Sequence, residues 1–248
     1  MAAGICFGEG PMDENRLTRL AEKQQRNDAR KERFLGDNEW RHADISKRRY
    51  PDYDAYVAHQ GSKLELMRPH LQSNFDVIVA DFRTRFQALP LKPASSVLCL
   101  GARLGHEVAA FISLGHFAVG IDLNPGANNK YVTVGDFHSL VQADRSVDCA
   151  YINSIDHVFS LERFCSQIKR VLKNDGFLAA DIIQGYEEGF WAGEYETIHW
   201  PTARAFADKL AAVGGFPVEL FRPMTPSFNL QFFQCVFRPA AGPCDGGG

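Results

Sequence analysis

A glycine-containing turn and an aspartate that follows it along the chain are the residues best suited to hold a nucleotide. The turn Gly101–Gly105 (GARLG) directly follows an apolar run at residues 97–100, and Asp122 follows a second apolar run at residues 117–121. Asp122 lies 21 positions after Gly101, the separation at which a βαβ unit places an acid against ribose hydroxyls. An ordinary α/β turn followed by a surface aspartate fits the same residues equally well.

Further polar residues follow two more apolar runs. Asp136 comes after the run at residues 131–134, and Asn153 comes directly after the run at residues 149–152. Because parallel strands present ligand sites beyond their carboxyl ends, we expect these side chains to lie near the glycine turn. His157, four residues beyond Asn153, is the leading candidate for a base or a substrate ligand. A packed or helix-capping histidine is the alternative.

A long segment, residues 184–200 (QGYEEGFWAGEYETIHW), lies between a predicted strand and the helix that follows. It contains five aromatic residues, four glutamates and His199. Long loops at this place in a sheet commonly carry function, and aromatic rings beside acids favour a flat or cationic ligand. His199 is therefore a second candidate catalytic residue. The alternative is a surface loop held in place by Trp191 and Trp200.

Strands and helices alternate along residues 97–183, which predicts a doubly wound, mostly parallel α/β sheet. A helix at residues 202–213 is then followed by two strands, 218–222 and 230–238, without a helix between them. We expect these last two strands to form an antiparallel hairpin. This sheet would bring the polar residues described above to one edge.

Composition divides the chain into four parts. Residues 1–50 form a charged N-terminal extension, partly disordered or helical, and residues 51–93 form a helical cap with apolar stripes. Residues 94–238 form the main domain. Residues 239–248, rich in glycine and proline, are expected to be a flexible tail.

Charge and cysteine content exclude several classes of protein. The 248-residue chain has a net charge of −3, which gives no general attraction to nucleic acid or membranes. It lacks an apolar run near the ~20 residues that span a bilayer, and its start does not resemble a secretion signal. Its six cysteines are scattered, without the spacing of a metal site or a redox pair. We therefore expect a cytoplasmic protein that binds no metal.

Four motifs follow one another in a recognisable order. They are VLCLGARLG (Val97–Gly105), AVGIDLNP (Ala118–Pro125), GDFHSL (Gly135–Leu140) and SVDCAYINSIDHV followed by LERFCSQIKRVLKNDGFL (residues 146–178). Together they resemble the motifs of class I S-adenosylmethionine (SAM)-dependent methyltransferases, over about residues 89–238. The resemblance implies a seven-stranded sheet with a C-terminal antiparallel hairpin, SAM as cofactor, and methyl transfer to an oxygen or nitrogen of a small-molecule acceptor.

The resemblance also implies roles for individual residues. Asp122 would hold the ribose hydroxyls, Asp136 would meet the adenine amino group, and Asn153 would meet the amino group of SAM or the substrate. The implied cofactor-binding residues are Gly101, Ala102, Arg103, Gly105, Asp122, Leu123, Asp136, Phe137 and Asn153. The N-terminal helix that carries Tyr56, His59, Gln60 and Lys63 would act as a lid over SAM or simply pack against the sheet.

Two residues depart from the family's first motif. Cys99 stands where an acid is usual, and Arg103 stands where a second glycine is usual. Loss of the acid would change how the methionine end of SAM is held, and Arg103 could pair with the carboxylate of that end or point to solvent. The loop GARxGxE and the helix YVxHQxxKL are similar to those of other methyltransferase-like proteins, which makes the departures a subfamily trait.

Two other functions stay open at this point. One is a binding or regulatory protein with the SAM-binding fold but without catalysis, because the first motif is altered. The other is an NAD(P)-dependent oxidoreductase. That class requires G-x-G-x-x-G, whereas the loop here offers Gly101 and Gly105 with Arg103 between them.

Overall fold

The computed structural model describes residues 14–36, 39–225 and 230–239. Its helices are α1 (Glu14–Gly36), α2 (Tyr53–Ser73), α3 (Phe75–Phe86), α4 (His106–Ser113), α5 (Leu161–Val171) and α6 (Ala203–Gly214). Its strands are β1 (Trp40–Arg41), β2 (Ser46–Arg48), β3 (Ser96–Leu100), β4 (Phe117–Asp122), β5 (Val132–Val134), β6 (Val147–Ile152), β7 (Leu172–Ile183), β8 (Ile198–His199), β9 (Val218–Pro223) and β10 (Phe232–Phe237). The first residues of the predicted N-terminal extension and nearly all of the predicted tail lie outside the described ranges. Within those ranges, no helix combines the length and the apolar character needed to cross a membrane.

Seven strands form the main sheet, in the order β5-β4-β3-β6-β7-β10-β9. The strands from β5 to β7 pair in parallel, whereas β10 runs antiparallel to both β7 and β9. The central apolar runs become strands because helices cover both faces of the sheet, where a run without polar side chains is stable. The α/β sheet with its C-terminal antiparallel hairpin is confirmed.

β7 begins before Asn174–Gly176, three residues whose types are typical of a turn. They lie inside the strand because the pairing of β6 with β7 shifts between Val147 and Cys149 and leaves the extra residues as a bulge. Gly176 suits the bulge, since a Cβ atom there would come within 3.1 Å of the backbone oxygen of Asp148. The glycine therefore marks a close approach of two strands.

Alternate residues of the parallel strands build two apolar layers. On one face Leu98 and Ile152 pack with α5 and α6, and on the other Tyr151 packs with α3 and α4. Phe86 of α3 stacks on Phe111 of α4 with the ring centroids 3.8 Å apart, and its ring also meets the edge of Tyr151. The predicted apolar stripe of α3 thus packs on α4 and on the sheet.

A second, three-stranded sheet is absent from the predicted elements. β1, β2 and β8 pair antiparallel and join the N-terminal extension to the segment 184–200. Phe34 and Trp40 are buried in this contact, and Nε of Arg48 donates a hydrogen bond to the carbonyl of Glu196 at 2.9 Å. Strands of two or three residues show no periodicity, so the sequence carries no pattern that predicts them.

α2 lies across the carboxyl ends of β3 and β4. Asp52 caps its first turn by accepting a hydrogen bond from the backbone N–H of Ala55 at 2.8 Å. Asn124, which follows β4, donates from Nδ2 to the carbonyl of Gly61 in the middle of the helix at 2.8 Å. The helix therefore covers the edge of the sheet where the predicted site residues lie.

Candidate active site

The turn after β3 brings the backbone close to the residues that follow β6. Gly101 has a φ of +67°, in the left-handed region that favours glycine, and a Cβ atom there would lie 2.4 Å from Oγ of Ser154. The backbone N–H of Ala102 donates to the carbonyl of Ile121 at 3.0 Å, and Gly105 is the N-cap of α4. The turn thus packs against Ser154 without room for a side chain at position 101, and its backbone lines an opening at this edge of the sheet.

Asp122 ends β4 and faces the same opening. Its Oδ2 accepts a hydrogen bond from the backbone N–H of Arg103 at 2.9 Å, and its Oδ1 accepts one from the backbone N–H of Asn124 at 2.8 Å. Each carboxylate oxygen can accept a further hydrogen bond. Asp122 therefore fixes the glycine turn and still has lone pairs for hydroxyl groups of a ligand.

The crevice at this edge has two parts, which we call the cleft and the chamber. The cleft lies between α2 and the ends of β3 and β4, measures about 50 Å³, and is lined among others by Leu123 and Phe137. The chamber lies over the ends of β6 and β7 and measures about 430 Å³. Lys63 and His157 line both parts, so they lie where the two meet. A cleft of about 50 Å³ holds only a few water molecules, so α2 must move outward before a nucleoside can enter.

Asp136 is already engaged by neighbouring side chains. Its Oδ2 accepts a hydrogen bond from the hydroxyl of Tyr53 at 2.6 Å, and its Oδ1 accepts one from the backbone N–H of His138 at 2.8 Å. Burial alone would raise the pKa of Asp136, but the hydrogen bonds from His138 and Tyr53 hold it at about 2. The next residue, Phe137, lines the cleft, whereas Asp136 is not among the lining residues. The carboxylate of Asp136 therefore holds Tyr53 and His138 behind the wall of the cleft.

His157 follows β6 and is almost fully buried. Its Nδ1 lies 2.8 Å from the carbonyl oxygen of Tyr195, and its Nε2 lies 2.8 Å from Nζ of Lys63. Because a carbonyl only accepts, these partners assign the proton to Nδ1 and leave Nε2 to accept from the ammonium group of Lys63. Burial, and then the charge of Lys63, lower the pKa of His157 well below its usual value.

Lys63 is an amine buried between the cleft and the chamber. Burial, and then the charge of Arg103, lower the pKa of Lys63 to about 8, although Asp156 and Glu196 act to raise it. Its partner His157 is neutral at the same pH. Lys63 is therefore the more basic member of the pair and the one that changes its charge near neutral pH.

Glu107, in the first turn of α4, is a buried acid with one unpaired oxygen. Its Oε1 accepts a hydrogen bond from Nδ2 of Asn153 at 3.0 Å, while its Oε2 is buried and has no hydrogen-bond partner among the described residues. Burial raises the pKa of Glu107 to about 7, opposed by backbone hydrogen bonding and by Arg103. Burial, and then this carboxyl, raise the pKa of Cys99. The carboxyl of Glu107 in α4 thus lies close to Cys99, the residue of β3 that stands where the family usually has an acid.

His199 lies in β8, outside both the cleft and the chamber. It is fully buried, with Nε2 at 3.0 Å from the carbonyl oxygen of Phe190 and its ring centroid 5.1 Å from that of Phe34. Burial lowers its pKa to about 4. These contacts place His199 in the packing of the segment 184–200, outside the cleft and the chamber where a catalytic residue is expected.

Residues 98–180 match the family model described as a methyltransferase domain. This match and the strand order of the main sheet decide the family. The chain carries a class I SAM-dependent methyltransferase domain. Among curated proteins, none matches the chain with significant sequence similarity.

Solved structures of low sequence identity share the fold of the domain. A 1,6-didemethyltoxoflavin-N1-methyltransferase from Burkholderia thailandensis, solved with S-adenosylhomocysteine bound, is 14% identical, with a TM-score of 0.60 over 82% of this chain and 99% of that one. A possible histamine N-methyltransferase from Thermotoga maritima is 16% identical, with a TM-score of 0.54 over 73% and 100%. A SAM-dependent methyltransferase from Aquifex aeolicus is also 16% identical, with a TM-score of 0.53 over 71% and 97%.

The cofactor of the methyltransferase domain is SAM, and the residues of the crevice fit it. Gly101 lines the cleft, where a glycine lets a ligand approach the backbone, and Asp122 has free lone pairs beside it. The unpaired Oε2 of Glu107 offers an anion to an ammonium group. Asp122 and Glu107 thus suit two different parts of SAM, namely its ribose and its methionine end.

Replacing Gly101 with alanine is expected to disturb the glycine turn and Ser154, which both line the cleft. The new Cβ atom would clash with Ser154 Oγ, and the positive φ would cost about 1–2 kcal/mol of stability. We expect lower affinity for S-adenosylhomocysteine (SAH) in calorimetry, together with a lower melting temperature. Gly115 is the matched control, because it has a φ of +86° with nothing within 4 Å of a Cβ atom. Equal SAH affinity in G101A and G115A would contradict a cofactor site at the turn.

Glu107 and Lys63 are site residues to which the sequence assigned no catalytic or cofactor role. The signal for Glu107 was present: with Cys99 in place of the usual acid, another acid near the glycine turn was needed, and Glu107 is the nearest one after it. For Lys63 the signal is weaker. It lies two helical turns after the buried Tyr56, so both residues share the inner face of α2.

Proposed function

We propose that this chain transfers a methyl group from SAM to a nitrogen or oxygen atom of a small molecule that binds in the chamber. The observation that carries the proposal is the contact between Lys63 Nζ and His157 Nε2, 2.8 Å apart, where the cleft meets the chamber. A nitrogen or oxygen acceptor loses a proton when it is methylated, so it benefits from a basic group at that place. A small acceptor suits the chamber, which measures about 430 Å³.

The proposal assigns cofactor contacts to the residues of the cleft and its junction with the chamber. Asp122 would accept hydrogen bonds from the ribose hydroxyls, and Leu123 and Phe137 would flank the adenine. Glu107, held by Asn153, would pair with the ammonium group of the methionine end. Two further turn residues, Ala102 and Arg103, would line its path. When bound, SAM supplies a methyl group to a lone pair of the acceptor and keeps the electron pair of the broken sulfur–methyl bond.

Lys63 is the proposed proton acceptor, and His157 is the residue that positions it. His157 cannot take a proton easily, because both of its ring nitrogens are engaged and burial lowers its pKa. Neutral Lys63 has a lone pair and faces the chamber. The hydroxyl of Tyr56 donates to the carbonyl of His157 at 3.0 Å and so ties the pair to α2. The proton that the acceptor loses would pass to Nζ of Lys63.

The choice of a small acceptor has support outside the chamber. α1 and the segment 184–200 cover the crevice, and Arg30 of α1 lines the chamber, which hinders access by a folded macromolecule. The net charge of −3 gives no attraction to nucleic acid. Two of the structural neighbours are described as N-methyltransferases of small molecules, which is consistent with a nitrogen acceptor.

Glu107 makes SAH binding depend on pH in this proposal. Its carboxyl must be ionised to hold the ammonium group, and its pKa in the free protein is about 7. SAH affinity should therefore be constant above pH 7 and fall by about tenfold per unit as the pH drops below 7. The other charged groups that face Glu107 are Arg103 and Asp122. Calorimetry of SAH in buffers of different ionisation enthalpy should show that binding releases a proton near pH 6.

The variant E107Q removes the charge and keeps the shape. We expect weaker SAH binding at pH 8, an affinity that no longer changes with pH, and loss of the released proton. Glu219 in β9 is the control position, because it pairs with Arg238 far from the crevice; E219Q should behave like the unmodified protein. An SAH affinity of the unmodified protein that is constant from pH 5.5 to 8 would contradict the role of Glu107.

Methyl transfer itself is tested with SAM that carries a tritiated methyl group. The protein is incubated with three sets of acceptors: small aromatic amines and phenols, a mixture of folded proteins, and RNA. The proposal expects label in the small molecules alone. Label in protein or RNA would contradict it, as would SAH binding without transfer to any acceptor, which would favour a binding protein without catalysis.

A further inference from the structure

The far side of the chamber, away from the glycine turn, is walled by aromatic rings. Phe82 comes from α3, Phe190 and Trp200 come from the segment 184–200, and Phe232 comes from β10. Phe82, Phe190 and Trp200 are buried. Four rings from three parts of the chain therefore converge on one space, and their flat faces suit a planar ligand.

Asp181 lies among these rings as a buried acid with one unpaired oxygen. Its Oδ2 accepts hydrogen bonds from the hydroxyl of Tyr151 at 2.7 Å and from Nη1 of Arg85 at 3.3 Å. Its Oδ1 is buried and has no hydrogen-bond partner within the described ranges, and Asp181 is one of the residues that line the chamber. The amide of Gln234 donates to the carbonyl of Arg85 at 3.2 Å. Burial raises the pKa of Asp181, opposed by Arg85, Tyr151 and the neighbouring amide of Gln234.

The carboxyl of Asp181 faces a cation inside the protein. Arg85 pairs with it and also with Asp81 on the helix of Arg85. The guanidinium carbon of Arg85 lies 5.2 Å from the ring centroid of Phe82 and 6.0 Å from that of Phe232. Because this guanidinium lies beside the acid, the site offers a hydrogen-bond acceptor near aromatic rings rather than an isolated negative charge.

We propose that the chamber binds a neutral, planar aromatic acceptor that donates an N–H or O–H hydrogen bond to Oδ1 of Asp181. This inference rests on the proposed function and adds the chemical class of its substrate. A buried carboxylate oxygen without a partner is costly, and a donor on the ligand would remove that cost. An aromatic ring would pack against the rings that line the chamber, and a cation gains little beside Arg85. Asp181 is here a residue that selects the acceptor, whereas Lys63 takes its proton.

The test measures how tightly two matched pairs of aromatic probes and one cationic probe bind to protein saturated with SAH, which occupies the cofactor site. 2-Naphthol carries a hydroxyl donor, and 2-methoxynaphthalene has the same rings without it. Indole and 1-methylindole form a second pair that tests an N–H donor, and benzylammonium tests a cation. We expect one donor probe to bind at least about tenfold tighter than its blocked partner, the scale of one buried hydrogen bond.

Variants of Asp181 test whether this residue causes the preference for donor probes. In D181L the affinity ratio of a donor probe to its blocked partner should fall to about threefold or less. D208N, on the exposed face of α6, should retain the ratio of the unmodified protein. If D181L does not fold, D181A serves, because it also removes both carboxylate oxygens; its preference should fall as well. Three results would each overturn the inference. They are blocked probes that bind as tightly as the donor probes, benzylammonium that binds more tightly than the neutral probes, and a donor preference that is unchanged in the Asp181 variants. A separate SAH titration and the assay with tritiated SAM show whether the proposed function stands, independently of the probe affinities.

Discussion

Replacing Lys63 with methionine is expected to slow methyl transfer by about 10²–10⁴-fold, the usual contribution of a positioned acid or base. Methionine keeps the length of the side chain and its packing under α2 but cannot take a proton. SAH affinity should change little, because Asp122 and Glu107 hold the cofactor in this account. The measurement is the transfer rate from tritiated SAM to the best small acceptor, with SAH affinity determined by calorimetry on the same preparation.

The pH dependence of the reaction distinguishes a base from a packing residue. A base with a pKa of about 8 works only when it is deprotonated, so the rate of the unmodified protein should rise with pH up to about 8 and then level off. The groups that face Lys63 and set this value are Arg103, Asp156, Glu196 and Arg30, with His157 as its hydrogen-bond partner. These rates are measured with SAM at saturating concentration, which removes the effect of Glu107 on cofactor affinity, and K63M should then lose the rise.

Lysine NMR provides a direct reading of the same group. In protein labelled at the ε carbon of lysine, one resonance should titrate near pH 8 and disappear in K63M. Lys92, which is exposed and paired with Asp175, is the control residue, and K92M should leave both the resonance and the rate unchanged. A Lys63 resonance that titrates above pH 10, or a K63M variant with full activity, would show that Lys63 is not the base.

Replacing Asp122 with alanine is expected to weaken SAH binding by about 1–3 kcal/mol, or roughly tenfold to a hundredfold in affinity. The loss has two sources: the ribose hydroxyls lose an acceptor, and the backbone N–H groups of Arg103 and Asn124 lose theirs. The second effect loosens the glycine turn. Calorimetry of SAH binding measures the total, and the melting temperature without ligand reports the effect on the turn.

The variant D122N separates the two sources, since its amide oxygen can still accept one backbone hydrogen bond. We expect D122N to melt close to the unmodified protein and yet to bind SAH clearly more weakly. D144A is the surface control, because Asp144 is exposed and pairs with Arg170. If D122A and D144A bind SAH equally well, Asp122 does not contact the ribose.

Much of the fold follows from local sequence patterns. The apolar runs 97–100, 117–121 and 149–152 lie in strands because each run is short, free of charge, and followed by glycine or a polar residue. The carboxyl ends of those strands then share one edge, which is why the sequence could bring the glycine turn, Asp122 and His157 together. The small sheet of β1, β2 and β8 could not be predicted, because its pairing joins residues far apart along the chain.

The chemistry of the site was harder to predict, since it depends on contacts between distant residues. Lys63 and His157 are 94 positions apart. Only the packing of α2 over the sheet shows that Nζ of Lys63 donates a hydrogen bond to Nε2 of His157. His199 has the same residue type as His157, but its position in β8 buries it among rings. Burial, and therefore pKa, is a property of the folded chain that residue type does not determine.

A crystal structure of the protein with SAH and a bound aromatic acceptor tests the central claim most directly. The account predicts the ribose hydroxyls within hydrogen-bond distance of Asp122, the ammonium group against Glu107, and the acceptor between the sulfur and Asp181 with Lys63 beside its reacting atom. α2 should have moved outward to admit the nucleoside. A nucleoside bound away from Asp122, or SAH density with the chamber filled by protein side chains, would contradict the account.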